Sequence, residues 1–216
     1  MCFSATASFS ASAALLGIGA VTLHKTRQPR ERPFAAIPLL FGIQQLTEGV
    51  LWLGFGWDTP VLNAVLTQLY SFFSHVLWPA YVPLAAWALE PRGPRRHALT
   101  LISAGGIAVG AYLLYNMFAN PILARPVGDH IDYDSPHFYA AVVMTLYLTA
   151  TTGSMLLSSR RVMKLFGALT LAGALVAWLF YARWFISVWC FFAAVLSLVI
   201  WLHFAARNAQ LVEIRS

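Results

Sequence analysis

The stretch that decides the fold is residues 61–89, VLNAVLTQLYSFFSHVLWPAYVPLAAWAL, which contains 29 residues and no Asp, Glu, Lys or Arg. An α-helix rises 1.5 Å per residue, so this stretch would form a helix about 43 Å long. About 20 apolar residues are enough to cross the hydrocarbon core of a bilayer. The stretch therefore predicts a membrane-spanning helix that tilts or kinks to fit the membrane.

Six other apolar stretches accompany this one. The chain is 59% hydrophobic and 10% charged, with a mean hydropathy of +0.68, whereas about a quarter of the residues of a soluble domain are charged. We therefore expect an all-α integral membrane protein in which residues 1–216 form a single domain, a bundle of seven transmembrane helices. The predicted spans are Phe3–Leu23, Pro33–Phe55, Val61–Leu89, His97–Phe118, Pro136–Ser158, Met163–Tyr181 and Trp184–Ala206.

The basic residues are distributed unevenly between the predicted loops. Twelve of the 14 Lys and Arg residues fall on one side of the bundle, and the other side holds only Arg125 and Arg183. Because positively charged loops stay in the cytoplasm, we expect the N-terminus outside and the C-terminus inside. The net charge of +6 would suggest nucleic acid in a soluble protein. Here it indicates anionic lipid headgroups, so we expect the lipid bilayer as a partner and no nucleic acid.

The second predicted span carries two amides and a carboxyl group at membrane depth. Gln44, Glu48 and Trp52 are four residues apart and share one helix face, and Gln45 follows Gln44. Glu48 is the only acidic residue inside any predicted span. Ionisable groups within a membrane are costly and often functional, so Glu48 is a candidate site residue.

The third predicted span carries a second polar stripe. Gln68, Ser71 and His75 are spaced by three and four residues and share one face. Only Gly56–Pro60 separates this span from the second, which predicts antiparallel neighbours whose stripes face each other. Pro79 removes the helical hydrogen bond to the His75 carbonyl, so we also expect a kink near His75–Pro79.

These stripes lead to a hypothesis about function. We expect a polar cavity between spans two and three that opens to the outer side, in a membrane-embedded enzyme or a small-molecule- or metal-binding protein. Glu48 would act as acid/base or metal ligand with His75 as its catalytic partner. The residues expected to position a small-molecule or lipid-like ligand are Gln44, Gln45, Gln68 and Ser71.

Other interpretations of the same residues stay open. The amides and the serine are equally explained as hydrogen-bonding contacts between helices. Glu48 and His75 are also suited to a proton relay in a proton-coupled small-molecule transporter. A sensory or scaffold protein without chemistry is a third class. The sequence leaves the substrate, the oligomeric state and the role of Cys2 open.

A weaker metal-binding candidate lies in the long outer loop, Asn120–Ser135. His130 and Asp132, with His137 just beyond the loop, could bind a divalent metal, as could Glu48 with His75. The spacing in the loop matches no established metal motif, so a solvated acidic loop is the simpler interpretation.

Three segments carry a family resemblance: MCFSATASFSASAALLGIGA at residues 1–20, FGIQQLTEGVLW at 41–52 and LWPAYVPLAAW at 77–87. They resemble a bacterial family of seven-span membrane proteins known only as a domain of unknown function. The resemblance covers essentially the whole chain and implies a multi-pass protein of the bacterial inner membrane, with no known activity. Retinal is not expected, because Lys25 and Lys164 lie at loops and no lysine lies in the last span.

Overall fold

The computed structural model describes residues 4–57 and 59–213, with side chains up to residue 207. The described residues do not include Cys2, Asp58, or Phe3, which begins the first predicted span. The described chain is mostly helical. Its helices are α1 (Ala5–Lys25), α2 (Arg32–Ala35), α3 (Ile37–Gly56), α4 (Pro60–Ser71), α5 (Trp78–Leu89), α6 (Pro94–Ala119), α7 (Ala141–Leu148), α8 (Ser154–Leu157), α9 (Arg161–Tyr181), α10 (Phe185–Leu196) and α11 (Leu198–Glu213).

Five helical segments of the described chain are long and apolar enough to cross a membrane. A shorter apolar helical segment, Ala141–Leu157, lies between the fourth and the fifth. The protein is therefore a multi-span helical membrane protein, as the sequence predicts. The five long segments are Ala5–Lys25, Pro29–Gly56, Pro60–Leu89, Pro94–Ala119 and Arg161–Arg207.

The last of these segments is 47 residues long and folds back on itself. A Cβ atom placed on Gly173 in α9 would lie 3.4 Å from the Cβ atom of Phe192 in α10. These residues are 19 positions apart, so the two helices run antiparallel on either side of the short 3₁₀ turn Ala182–Trp184. The turn coincides with the predicted boundary between spans six and seven.

Small residues let α1 and α3 approach closely, as small side chains do in membrane helix pairs. A Cβ atom on Gly19 would lie 2.5 Å from the Leu39 backbone nitrogen, and one on Gly42 would lie 2.9 Å from Leu16. The Ser12 hydroxyl donates to the Gly42 carbonyl at 2.9 Å. The Ser- and Ala-rich first helix therefore packs against protein along this face, in antiparallel register with α3.

The helix from α4 to α5 is interrupted where the sequence predicts a kink, but the interruption has a different form. Residues Phe72–Leu77 form a π-helical turn, in which the Trp78 N–H donates to the carbonyl five residues back, that of Phe73. In the same register the next donor would be residue 79, which is proline and has no N–H. In this register the Ser74 carbonyl is therefore left without its helical donor.

The Ser74 carbonyl is satisfied from another helix. The Tyr147 hydroxyl of α7, which is fully buried, donates a short hydrogen bond to this oxygen. Helix α7 itself continues into a second π-helical turn, Thr149–Gly153. The break next to His75 is thus held by a side chain 73 residues away in the sequence.

Helix α6 packs against this break through Gly106 and Gly110, and small residues four positions apart are typical of close contacts between membrane helices. A Cβ atom on Gly110 would lie 3.0 Å from the Val76 carbonyl oxygen, and one on Gly106 would overlap the Pro79 carbonyl oxygen. Glycine at both positions allows the backbones of α5 and α6 to touch.

The segment between α6 and α7 contains the main departure from the all-α prediction. Strands β1 (Leu123–Val127) and β2 (His130–Asp134) pair antiparallel, with Val127 opposite His130. Gly128, with a φ of +59°, takes the first position of the two-residue turn, where a positive φ is required. We call this part of the bundle the hairpin end, and the opposite end, which holds the loops with most of the arginines, the basic end.

We predict that Gly106→Ala destabilises the protein by about 1–3 kcal/mol, because the new methyl group collides with the Pro79 carbonyl in a packed interface. Gly105→Ala is the matched control, since a Cβ atom there meets no atom within 4 Å. Thermal unfolding in detergent measures the stability of both variants. Equal unfolding temperatures for the two variants would contradict the close contact between α5 and α6.

Candidate functional site

The β-hairpin is anchored to the third predicted span by side chains of that span. The Gln68 amide nitrogen donates to the Ile122 carbonyl, just before β1, at 2.8 Å. The ring of Tyr70 stacks on that of Tyr133 in β2, with centroids 4.7 Å apart. The hairpin therefore covers the end of the bundle rather than lying free beside it.

His75 is almost fully buried beneath the segment that follows β2, with 1% of its surface exposed. Its Nδ1 atom hydrogen-bonds the Ser74 hydroxyl and its Nε2 atom hydrogen-bonds the Ser135 hydroxyl, both at 2.8 Å. Phe138 lies against its ring, with centroids 4.8 Å apart. A neutral imidazole has one donor and one acceptor, so one serine donates and the other accepts.

A cavity of about 160 Å³ lies above His75 at the hairpin end, and we call it the His75 cavity. Helix α6 and the chain on both sides of the hairpin form its walls. Its lining contains two amides, two imidazoles, a hydroxyl and a carboxylate. These polar residues are His75, Asn116, Asn120, Asp134, Ser135 and His137.

Glu48 is fully buried and points toward α10. Its Oε1 atom accepts a hydrogen bond from the Ser187 hydroxyl at 2.9 Å. This hydrogen bond joins α3 to α10, and its two residues are 139 positions apart in the sequence. The carboxyl group of Glu48 thus connects the second predicted span to the last one.

The residues around Glu48 form a dense polar and aromatic neighbourhood. The Trp78 indole N–H donates to the Gln44 amide oxygen at 2.8 Å. The Cys190 thiol lies one turn beyond Ser187 in α10 and faces the side chains of Gln44 and Tyr70. Gln44 therefore bridges α3, α5 and α10.

Two of the predicted ligand-positioning residues are buried, and their side chains make no hydrogen bond to the described residues. Gln45 is fully buried, and its amide group makes no hydrogen bond to the described residues. The Ser71 hydroxyl likewise has no such partner, although the Ser71 carbonyl accepts from the Ser74 hydroxyl at 3.2 Å. Neither residue lines the His75 cavity.

The hydrogen bonds of the two polar stripes lead in different directions. From the third span, Gln68 and His75 bond the chain next to the hairpin. From the second span, Glu48 bonds Ser187 of α10. The hydrogen bonds described for Glu48 and His75 are thus to different segments, and the expectations that the two residues share one site and that either is catalytic stay predictions.

Among the described residues, no group of three or more His, Cys, Asp or Glu side chains is arranged to hold a metal ion. The weaker candidates have separate partners. Asp132 forms an ion pair with Arg183 at 2.8 Å, and His130 stacks on Trp184 with centroids 4.5 Å apart. Partial burial lowers the pKa of His130 below 6.5 and so favours its neutral form. His137 lines the His75 cavity instead.

Comparison with known families places the whole chain in one group. Residues 1–215 match a family described as a family of unknown function, DUF6629. The chain belongs to this family. Searches of curated proteins and of solved structures give no match.

Several residues that contact Glu48, Gln44, Ser74 and His75 were not predicted from the sequence. Ser187 and Cys190 are three positions apart in an otherwise apolar helix, and that spacing on one face was the available signal. Ser135 and Tyr147 had no comparable signal, because their roles depend on where the hairpin and α7 pack against the break at Ser74.

We predict that Ser187→Ala lowers the free energy of unfolding by about 0.6–1.7 kcal/mol, the range measured for hydrogen bonds between membrane helices. Glu48→Gln should cost less, because an amide oxygen can still accept from Ser187. Ser103→Ala is the control, since the buried Ser103 hydroxyl donates to the Leu99 carbonyl of its own helix. Denaturant titration in mixed micelles measures the free energy of unfolding of all three variants. If Ser187→Ala lowers it by no more than Ser103→Ala does, the hydrogen bond between Ser187 and Glu48 is contradicted.

Proposed function

We propose that this protein is a seven-span membrane protein that binds a small polar ligand from the outer face, in the His75 cavity. The observation that carries the proposal is the composition of that cavity, which is lined by the buried imidazole of His75, the half-buried Asn116 and the exposed Asn120 and Asp134. Small-molecule sites are concave and combine apolar walls with a few placed polar groups. An apolar cavity of about 150 Å³ accepts benzene, so a volume of about 160 Å³ suits a ligand, or part of a ligand, with roughly six to ten non-hydrogen atoms.

Helix lengths support seven crossings. The segment Arg161–Arg207, at 47 residues, would be about 70 Å long if straight, more than twice the hydrocarbon thickness. Its reversal at Ala182–Trp184 divides it into two arms of suitable length. The segment Ala141–Leu157 would be about 26 Å long as a helix, close to the thickness of the core. Together with the four remaining long segments, these supply seven spans.

Contacts at the basic end support the orientation with the N-terminus outside. Arg207, near the end of α11, pairs with Glu31 at 2.8 Å, in the loop that precedes α2. The Glu90 carboxylate accepts from the Ser158 hydroxyl at 3.0 Å, which brings two further arginine-bearing loops together. The loops that hold most of the basic residues therefore share one end. By the positive-inside rule we assign this end to the cytoplasm, and the membrane to the inner membrane of a bacterium.

Ligand binding accounts for the geometry better than proton transport does. A proton relay between Glu48 and His75 would need a chain of hydrogen-bonding groups between them. Of the two residues, His75 lines the cavity and Glu48 does not. We assign His75 to the ligand cavity, and to Glu48 the role of holding α10 against α3.

We predict saturable binding of a small polar probe by the protein in phosphatidylglycerol nanodiscs, measured by calorimetry with 2-aminoethanol, acetate and glycerol in turn. Asn120→Leu should weaken the binding about tenfold, because it leaves a polar group of the probe without a partner. Gln28→Leu, at the basic end, is the matched control and should have no effect. Failure of all three probes to bind, or equal effects of the two variants, would contradict the proposal.

We predict that an impermeant maleimide labels the Asp129→Cys variant in intact cells and the Arg92→Cys variant only after permeabilisation. Both positions are exposed, the first in the hairpin turn and the second in a basic loop. The background carries Cys2→Ser, and Cys190 is buried and should stay unlabelled. The reverse pattern of labelling would invert the assigned orientation.

A further inference from the structure

We infer that the ligand of the His75 cavity is the amine-bearing headgroup of a membrane phospholipid, whose acyl chain lies in a groove beside the cavity. This inference rests on the proposed function and names the ligand class of the same site. It is carried by two observations, the charge of the cavity wall and the position of the groove.

The cavity wall favours an ammonium group. Among the described residues that line the cavity, Asp134 supplies a carboxyl group, and no Lys or Arg is present. Both ring nitrogens of His75 are bonded to serine hydroxyls. A carboxylate attracts a cation, and charge-assisted hydrogen bonds are about twice as strong as neutral ones. Asn120 and His137 remain as polar partners for a phosphate beside the amine.

An apolar groove adjoins the cavity on the lipid-facing side. It encloses about 420 Å³ between α4 and α6. Met117 and Pro121 border both the cavity and the groove, so a molecule in the cavity has the groove as its neighbouring space. The other apolar residues of the groove are Leu69, Phe72, Leu114 and Phe118.

A phospholipid matches this pair of spaces better than a soluble amine does. Its headgroup fills a polar cavity of limited volume, and its chain remains in an apolar environment continuous with the leaflet. The bilayer also presents the headgroup at high effective concentration, so that modest recognition by Asp134 is sufficient for occupancy. A soluble amine would leave the apolar groove outside the site.

Photo-crosslinking tests the inference. The protein is placed in nanodiscs that contain phosphatidylethanolamine or phosphatidylglycerol, each with a diazirine on the acyl chain, and the labelled peptides are mapped by mass spectrometry. We expect labelling of α4 and α6 at the groove to be about tenfold stronger for the ethanolamine lipid, the effect of about one charge-assisted hydrogen bond. Asp134→Asn should abolish this preference. Asp129→Asn, which removes the same charge from the exposed hairpin turn, should leave it intact.

A second pair of variants tests the groove. Leu114→Trp should fill the groove and reduce labelling, whereas Leu101→Trp, at an exposed position of the same helix, should not. Equal labelling by the two lipids, or equal effects within either variant pair, would overturn the inference. If a soluble probe still binds in calorimetry, the proposed function stands without the lipid. If neither lipid preference nor probe binding is found, both proposals fail.

Discussion

The hydrogen bond from the Tyr147 hydroxyl to the Ser74 carbonyl is the interaction on which the arrangement around the cavity depends. A backbone carbonyl without a partner costs roughly several kcal/mol inside a membrane, where no water can bond it. Pro79 removes the donor that the π-helical register would supply, and a side chain from α7 replaces it. This replacement fixes α7 against the break and sets the ring of His75, the residue after Ser74, toward the hairpin end.

The same break determines how α6 packs. Gly106 lies against the Pro79 carbonyl on one side and against Ala150, in the second π-helical turn, on the other. The first turn of α5 and the second π-helical turn therefore meet at one glycine, and any larger side chain would separate them. Because α6 is held at this point, its last turn brings Asn116 and Asn120 to the cavity wall. The position of the cavity thus follows from backbone irregularities deeper in the bundle.

Much of the architecture could be predicted from local sequence, because membrane spans are long apolar runs and their loops carry charge. Pro79 correctly indicated a break in residues 61–89. The small residues of the first helix are evident in the sequence, but their partner α3 is known only from the structure. The register of the break could not be predicted, since it depends on Tyr147 arriving from a distant helix. The hairpin was not predicted, although Ile131 and Tyr133 alternate with polar residues, because alternation over only five residues is a weak signal for a strand. The partners of Glu48 and His75 are likewise set by tertiary packing.

The two ionisable residues at membrane depth, Glu48 and His75, are both buried but bond different kinds of partner. Glu48 has a partner on a neighbouring helix and lies where α3, α5 and α10 meet, so its carboxyl group contributes to helix association. His75 uses both ring nitrogens on serines, one from its own helix and one from the segment after the hairpin. A shift of that segment would move Ser135 away from Nε2 and expose the imidazole to the cavity. The hydrogen bonding of His75 is therefore coupled to the hairpin end, and the ligand binding that we propose there would be coupled to the position of the hairpin.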